Sequence, residues 1–236
     1  LVGSEMCIRD RLHGDGSTTV AALAYDSRAV TRSDCFFATR GTQSDGHDFI
    51  PDAVAKGASA VVCEQLPAET AHGVAYVVVP DAAGALADMA AAFYGHPSRE
   101  LKLVGITGTK GKTTAAFMLQ SIIKAAGESC GMIGSVSTDD GIECYESTNT
   151  TPEAPEVWRH IANCRMSGRQ SMVMEVSSQA LKYQRVENLP FDVACFLNIG
   201  RDHISPIEHP TFEDYFKSKL RIFDQAKTCL LYTSPS

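Results

Sequence analysis

Four groups of residues in this sequence have the types and spacing to do chemistry. The first is Gly105-Ile-Thr-Gly-Thr-Lys-Gly-Lys-Thr-Thr114, with glycines at 105, 108 and 111 ahead of Lys112 and Thr113. Glycines let backbone approach a ligand closely, and N–H groups at the start of a helix attract anions. Such a loop would cradle phosphates, Lys112 would meet their outer oxygens, and the Thr113 hydroxyl would hold a magnesium ion. The spacing is G-x-x-G-x-x-G-K-T; the commoner G-x-x-x-x-G-K-T would need glycine where Ile106 stands. The other groups are Glu175, Asp202-His203 and Lys219.

The elements that must position them follow from periodicity. Leu101, Leu103, Val104 and Ile106 read as a buried strand. Ala115, Leu119, Ile122, Ile123 and Ala126 fall at helical spacing and are ended by Gly127. Further strands are expected over residues 129–137, 171–176 and 192–198, and a helix over residues 153–166. Strands alternating with helices imply a doubly wound, mostly parallel sheet. The phosphate loop, Glu175 and Asp202-His203 then all lie at or just past C-terminal strand ends, where open α/β sheets bind ligands. A carboxylate there can hold magnesium or orient water; the competing readings are a solvated carboxylate for Glu175 and an ordinary loop histidine for His203.

The last helix, after Pro210, opens on a Thr211/Asp214 capping box. It places Phe212, Tyr215, Phe216 and Phe223 on one stripe with Lys219 in its middle, while Lys217 points away. The helix is expected to run on until Cys229, where the sequence breaks off it. A lysine on a buried face is unfavourable unless paired or chemically altered; the alternative is a side chain that snorkels to the surface.

Residues 17–97 read as a smaller α/β unit. Its strands are expected over residues 18–24, 35–38, 59–63 and 74–79, and its helices over residues 48–56 and 82–94. Gly95-His-Pro97 marks the boundary. The fold expected is therefore a small N-terminal α/β domain over residues 12–97, then an incomplete phosphate-loop domain over residues 98–228. Residues 1–11 and 229–236 fit neither unit and read as non-native ends, without the layout of a signal peptide.

The 236 residues are 44% hydrophobic and 21% charged, as in globular proteins. Net charge is −7 with no basic stretch, which argues against nucleic acid. No apolar run is long enough to span a membrane. The eight cysteines are scattered singly, mostly in apolar runs, which reads as reduced core thiols in the cytoplasm.

Taken together, Gly108-Thr-Lys-Gly-Lys-Thr-Thr114, Asn149-Thr-Thr-Pro152, Met174-Glu-Val-Ser-Ser178, Asp202-His203 and Tyr215-Phe-Lys-Ser-Lys219 resemble the Mur ligases. The likeness extends to Tyr25-Asp-Ser-Arg28 and Gly41-Thr-Gln-Ser-Asp-Gly46, so it covers nearly all of residues 12–228. It is strongest to the members that add a third amino acid, L-lysine or meso-diaminopimelate, to UDP-N-acetylmuramoyl-L-alanyl-D-glutamate in peptidoglycan synthesis.

The resemblance implies ATP bound by Gly108, Thr109, Lys110, Gly111, Lys112, Thr113 and Thr114. It implies magnesium held by Thr113, Glu175 and His203, and by a carbamate formed on Lys219. It implies contacts to the UDP moiety from Tyr25, Ser27, Thr42, Gln43 and Ser44. Asn149, Thr150, Thr151, Ser177, Tyr183 and Arg185 would hold the muramoyl-peptide. Lys112, Lys219, Glu175 and His203 would carry the catalysis. Two positions depart from the pattern: Lys110 where many members have Asn, and Tyr183 where some have Gln. Gln179 and Pro206-Ile-Glu-His-Pro210 resemble the Gram-positive, often lysine-adding branch.

The reaction implied is amide formation through an acyl phosphate, carried out by a cytoplasmic monomer. It depends on positioning and charge neutralisation rather than on a protein nucleophile. The alternatives are another Mur or folylpolyglutamate-type ligase, and a fragment that only binds nucleotide or UDP-precursor. A phosphate-loop switch or motor ATPase would not need the Asn-Thr-Thr-Pro segment or a lysine at 219. The third domain of the resembled ligases, which receives the amino acid, has no counterpart here, so this chain alone is expected to be inactive.

Overall fold

Short runs of small and β-branched residues build the first sheet. The computed structural model describes residues 11–41, 44–202, 204–206 and 208–231, and the chain divides into two compact units between Ala92 and Phe93. The first unit holds β1 (Arg11–His13), β2 (Leu23–Ala24), β3 (Cys35–Phe37), α1 (Ile50–Ala55), β4 (Ala60–Cys63), β5 (Ala75–Val78) and α2 (Ala82–Phe93). The sheet order is β1-β5-β4-β3-β2, parallel except for β1. Both β3 and β4 are buried along their whole length, as strands covered on two faces must be. Phe36, Val61, Ile50, Ala53 and Tyr76 lie in the core beneath them.

Only Leu23–Ala24 of the strand expected over residues 18–24 forms. The Asp15 carboxylate accepts from Ser17 N–H at 2.9 Å and the Asp15 carbonyl accepts from the Thr18 hydroxyl at 2.7 Å, so a local turn takes the polar start of that run.

The second unit holds β6 (Lys102–Thr107), α3 (Lys112–Ala125), β7 (Cys130–Ile133), β8 (Ser137–Asp139), β9 (Cys144–Glu146), α4 (Ala154–Met166), β10 (Ser171–Glu175), α5 (Ser178–Lys182), β11 (Phe191–Phe196), α6 (Phe212–Leu220) and β12 (Ala226–Leu231). The order is β12-β11-β6-β10-β7-β8-β9. The five strands from β12 to β7 are parallel, and β8 and β9 extend the sheet as an antiparallel hairpin. β6 lies between β10 and β11, so the loop after β6 opens where the chain leaves a central strand flanked by two strands that come later in sequence. Among the described residues no helix is long and apolar enough to cross a membrane.

Three expectations need correction. The single strand over residues 129–137 stops at Ile133, because Gly134 N–H bonds to Ser137 O and turns the chain into β8. The polar stretch after it is the β8–β9 hairpin, whose turn is closed by Asp140 accepting from Ile142 N–H and Glu143 N–H. On α3, Ile122 is 62% exposed; the face that packs carries Ala115, Ala116, Leu119 and Ile123. The last helix stops at Leu220. A 3-10 turn, Arg221–Gln225, follows, and β12 then pairs in parallel with β11. Helical spacing over residues 212–223 is thus real only to Leu220, and β12 rather than a helix takes in Cys229.

Close packing inside this sheet is demanding at Gly105. A Cβ there would lie 2.9 Å from two ring carbons of Phe191, which is fully buried. Gly105→Ala is expected to lower stability by about 1–3 kcal/mol, or on the order of 5 °C in melting temperature. An unchanged thermal midpoint would mean that the ring moves aside freely.

Candidate functional site

The loop between β6 and α3 is shaped by two glycines with positive φ. Gly108 has φ +154°, and a Cβ there would come within 3.2 Å of Leu197 Cβ. Gly111 has φ +84° and caps the 14-residue α3 without a side-chain bond of its own. The first bond within the helix runs from Ala115 N–H to Gly111 O, so the N–H groups before it take no intrahelical partner. This is the anion-attracting end that the sequence implied.

Two lysines converge on the loop. Lys112 Nζ donates to Gly108 O at 3.0 Å and to Thr109 O at 3.3 Å. Lys219 Nζ, on α6, donates to Gly108 O at 2.9 Å and to Thr107 Oγ1 at 3.4 Å. It lies 4.8 Å from the centre of the Tyr215 ring. Lys219 is 2% exposed, so it does not snorkel. Burial, reinforced by the nearby Lys112 ammonium, lowers its pKa to about 7. Near neutral pH a large share of Lys219 is free amine, with a lone pair available to an electrophile. Burial also lowers the Lys112 pKa, while Glu175 and Asp202 act in the opposite direction.

Glu175 closes the site from the end of β10. It is 1% exposed, so its solvated reading fails. Its Oε2 accepts from Thr113 Oγ1 at 2.9 Å and Ser135 Oγ at 3.2 Å, and its Oε1 accepts from Ser135 N–H at 2.9 Å. These partners are neutral donors. A buried carboxylate whose hydrogen-bond donors among the described residues are neutral, beside a hydroxyl, is an all-oxygen donor set of the kind that suits Mg²⁺. The space next to it is kept by Gly134, where a Cβ would meet Glu175 Oε1 at 2.5 Å.

The segment after β9 joins the same end of the sheet. Thr150 Oγ1 accepts from Ser135 Oγ at 3.0 Å. Thr151 Oγ1 donates to Glu175 O at 2.9 Å and accepts from Ser177 N–H at 3.0 Å. The Ser177 hydroxyl caps α5 by accepting from Ala180 N–H. Arg185 donates to Thr151 O at 3.2 Å and pairs with Glu153 at 2.7 Å. Asn149 is exposed beside them, as are Lys110 and Thr114 on the loop. Tyr183 ends α5, with Lys182 Nζ 5.9 Å from its ring centre. Thus Lys112, Thr113, Glu175, Lys219, Thr150, Thr151, Ser177 and Arg185 gather at the C-terminal ends of β6 and β10.

In the first unit Tyr25 is half-buried after β2 and Ser27 is buried, with its carbonyl accepting from Lys56 Nζ at 2.8 Å. Ser44 is exposed in a turn closed by Gly41 N–H to Ser44 O. Thr42, Gln43 and His203 lie outside the described residues.

Some groups at the site were missed in the sequence. Ser135 follows the Gly-rich end of β7, a strand end like that of β10, and that position was the available signal. Asn198 and the Tyr215 hydroxyl bond the phosphate loop directly, and nothing local marks them. On α6 the buried line is Tyr215, Ser218 and Lys219, and Ile222 continues it in the 3-10 turn that follows. Phe212 and Phe216 flank it, 37% and 36% exposed, and Phe216 and Phe223 pack on Phe196. Of the capping box, Thr211 Oγ1 accepts from Asp214 N–H, while the Asp214 carboxylate turns to Lys182 and His209.

Residues 106–233 match the model of the Mur ligase middle domain, and residues 19–94 match that of the Mur ligase family catalytic domain. This chain belongs to the Mur ligase family. As a Mur ligase chain it is similar to UDP-N-acetylmuramoyl-L-alanyl-D-glutamate–2,6-diaminopimelate ligase 1 of Clostridium acetobutylicum, at 39% identity over 218 residues. That match covers 92% of this chain and 45% of the relative. The corresponding ligase of Geobacillus thermodenitrificans is 41% identical over 214 residues, covering 91% of this chain and 43% of the relative. The chain therefore spans less than half the length of these relatives. Among solved structures, a UDP-N-acetylmuramoyl-L-alanyl-D-glutamate–2,6-diaminopimelate ligase superposes with TM-score 0.74 at 22% identity, covering 90% of this chain and 43% of that one. MurF ligase from Thermotoga maritima in complex with ADP superposes with TM-score 0.59 at 22% identity, covering 92% and 46%. The Mur ligase fold, with two mostly parallel sheets, is common to them.

Proposed function

We propose that this Mur ligase chain is the precursor- and nucleotide-binding part of an ATP-dependent ligase. The ligase joins an amino acid to UDP-N-acetylmuramoyl-L-alanyl-D-glutamate. The observation that carries the proposal is the cluster at the ends of β6 and β10. There a phosphate-type loop, the half-buried Lys112, the buried Lys219 and a buried carboxylate bonded to Thr113 meet. The relatives' names support diaminopimelate as the added residue, with lysine as the alternative.

The reaction is the attack of the precursor carboxylate on the γ-phosphorus of ATP, giving an acyl phosphate and ADP. The amine of the incoming amino acid then takes the acyl carbon, phosphate leaves, and the amine loses a proton. Gly108 to Thr114 shape the ATP site, and the N–H groups of residues 111–114 at the helix end hold the phosphates. Lys112 swings from Gly108 O to the outer phosphate oxygens and neutralises the charge that develops there. Thr113, Glu175, His203 and the Lys219 carbamate are the residues that would hold Mg²⁺. When bound, it would neutralise phosphate charge and fix the oxygens for in-line transfer. The carbamate forms when the Lys219 amine adds to CO2 and releases a proton, which its low pKa favours. Thr150, Thr151, Ser177 and Arg185, with Asn149 and Tyr183, orient the muramoyl-peptide carboxylate. Tyr25, Ser27, Thr42, Gln43 and Ser44 take the UDP end.

The proposed ligase works in the cytoplasm as a monomer, with neither nucleic acid nor membrane as a partner. This chain by itself is proposed to bind without turnover. The test is phosphate release by the complete protein, with ATP, UDP-N-acetylmuramoyl-L-alanyl-D-glutamate and diaminopimelate or lysine. Release that needs all three components supports the reading. Release indifferent to the muramoyl-peptide would make the site that of another nucleotidase.

A further inference from the structure

Two N–H groups of the phosphate loop are already committed within the protein. Thr109 N–H donates to Asn198 O at 3.1 Å, and Lys110 N–H donates to Asn198 Oδ1 at 3.0 Å. The same amide returns a bond, from Asn198 Nδ2 to Lys110 O at 2.9 Å. The amide orientation is fixed by chemistry, since a flipped amide would set N–H against N–H and oxygen against oxygen. Both backbone polar groups of Lys110 are therefore held by one side chain lying 88 residues away in sequence. Thr109 is fastened from a second side. Its Oγ1 accepts from Gly200 N–H at 2.9 Å and from the Tyr215 hydroxyl at 3.0 Å. Tyr215 is fully buried, on the helix that carries Lys219.

We infer that Asn198 is a positioning residue for the phosphate loop. It pins the apex at Thr109 and Lys110, turns their N–H groups away from the phosphate, and leaves phosphate recognition to the N–H groups of residues 111–114. The arrangement resists the obvious alternative that Lys110, exposed at the tip, is a free arm of the site. Its side chain is exposed, but its peptide is held at both polar groups. Because Asn198 lies at the start of the segment that leads to Asp202, the loop and that segment move together. Tyr215 extends the same brace to α6, so a shift of Lys219 is felt at Thr109. The inference rests on the nucleotide reading given above.

The test compares wild type, Asn198→Ala, Asn198→Asp and Tyr215→Phe in the full chain, by amide hydrogen exchange and by titration with MgADP. Asn198→Ala is expected to speed exchange at Lys110 about tenfold, with β6 amides still slow, and to weaken MgADP about tenfold. Thr109 changes less, because its acceptor is the backbone carbonyl of residue 198. Asn198→Asp restores the slow exchange at Lys110, since its carboxylate is still an acceptor. Tyr215→Phe keeps the ring over Lys219 and speeds exchange at Thr109 alone. Unchanged exchange at Lys110 in Asn198→Ala would overturn the inference. So would faster exchange with undiminished MgADP affinity, or equal acceleration throughout β6, which would make Asn198 a general stabiliser. Failure of wild type to bind MgADP would remove the nucleotide reading and the inference with it. That outcome is visible separately, because the exchange arms need no nucleotide.

Discussion

Lys219→Met is expected to raise the melting temperature of this chain near pH 6 while reducing the activity of the complete ligase at least about 100-fold. Lys219 is 2% exposed, and burial brings its pKa to about 7. An unfolded lysine titrates near ~10.4. The folded chain therefore holds this proton less tightly than the unfolded chain. Below pH 7 both states are protonated and the buried ammonium destabilises the fold, on the order of a few kcal/mol. Between about pH 7 and about 10 the unfolded state binds more protons, so stability rises with pH and the penalty disappears. Met matches the length of the lysine stem and carries no charge. The advantage of the variant should thus be largest below pH 7 and fade by about pH 10. Buried Cys35 and Cys164, with thiols pushed up to about 12, and Tyr215 with its raised pKa titrate in both proteins and cancel in the comparison. Gly108 O keeps Lys112 as a donor in the variant. Thermal melts in CO2-free buffer across this range check it. A variant less stable than wild type at pH 6 would mean that the ammonium is compensated by partners stronger than Gly108 O and Thr107 Oγ1.

Glu175→Gln should leave the fold intact and remove the magnesium dependence of nucleotide binding. The two side chains have one shape. The oxygen facing Ser135 N–H can stay an oxygen, and the hydroxyls of Thr113 and Ser135 can each reverse and accept from the new amide. What is lost is one negative charge in a dry site. A unit charge pair at ~4 Å contributes about 4 kcal/mol at an effective dielectric constant near 20, so the Mg²⁺-assisted gain in ADP affinity should fall on the order of 1,000-fold. Calorimetric titration with ADP, with and without Mg²⁺, measures that gain. A variant that keeps the full gain would place the ion away from Thr113 and Glu175.

How far the sequence could be read follows from what each signal encodes. Apolar runs announced strands at β3, β4 and β10, all three of which are buried along their length, and the glycines at 108 and 111 announced a turn into a helix. Strand ends then located Glu175 without any knowledge of its partners. Helical spacing found Lys219 on a buried face, although its neighbours Phe212 and Phe216 proved to lie at the margin. Periodicity tells which face of an element is buried and not what lies across from it. Tyr215 and Thr109 are 106 residues apart in sequence, and their bond exists only because β6 and α6 come together through the sheet. The end of α6 escaped for a related reason. Residues 221–231 continue an apolar pattern that serves a helix or a strand, and the free side of β11 made it a strand.

Titration of this chain with MgADP, in parallel with Lys112→Ala, should show saturable binding at one site, requiring Mg²⁺, that weakens about 100-fold or more when the Lys112 charge is removed. Equal binding by Lys112→Ala, or no binding by a chain whose amide exchange shows the sheet intact, would contradict it. Residues 108–114 would then be an ordinary strand-to-helix turn rather than the nucleotide site of the ligase.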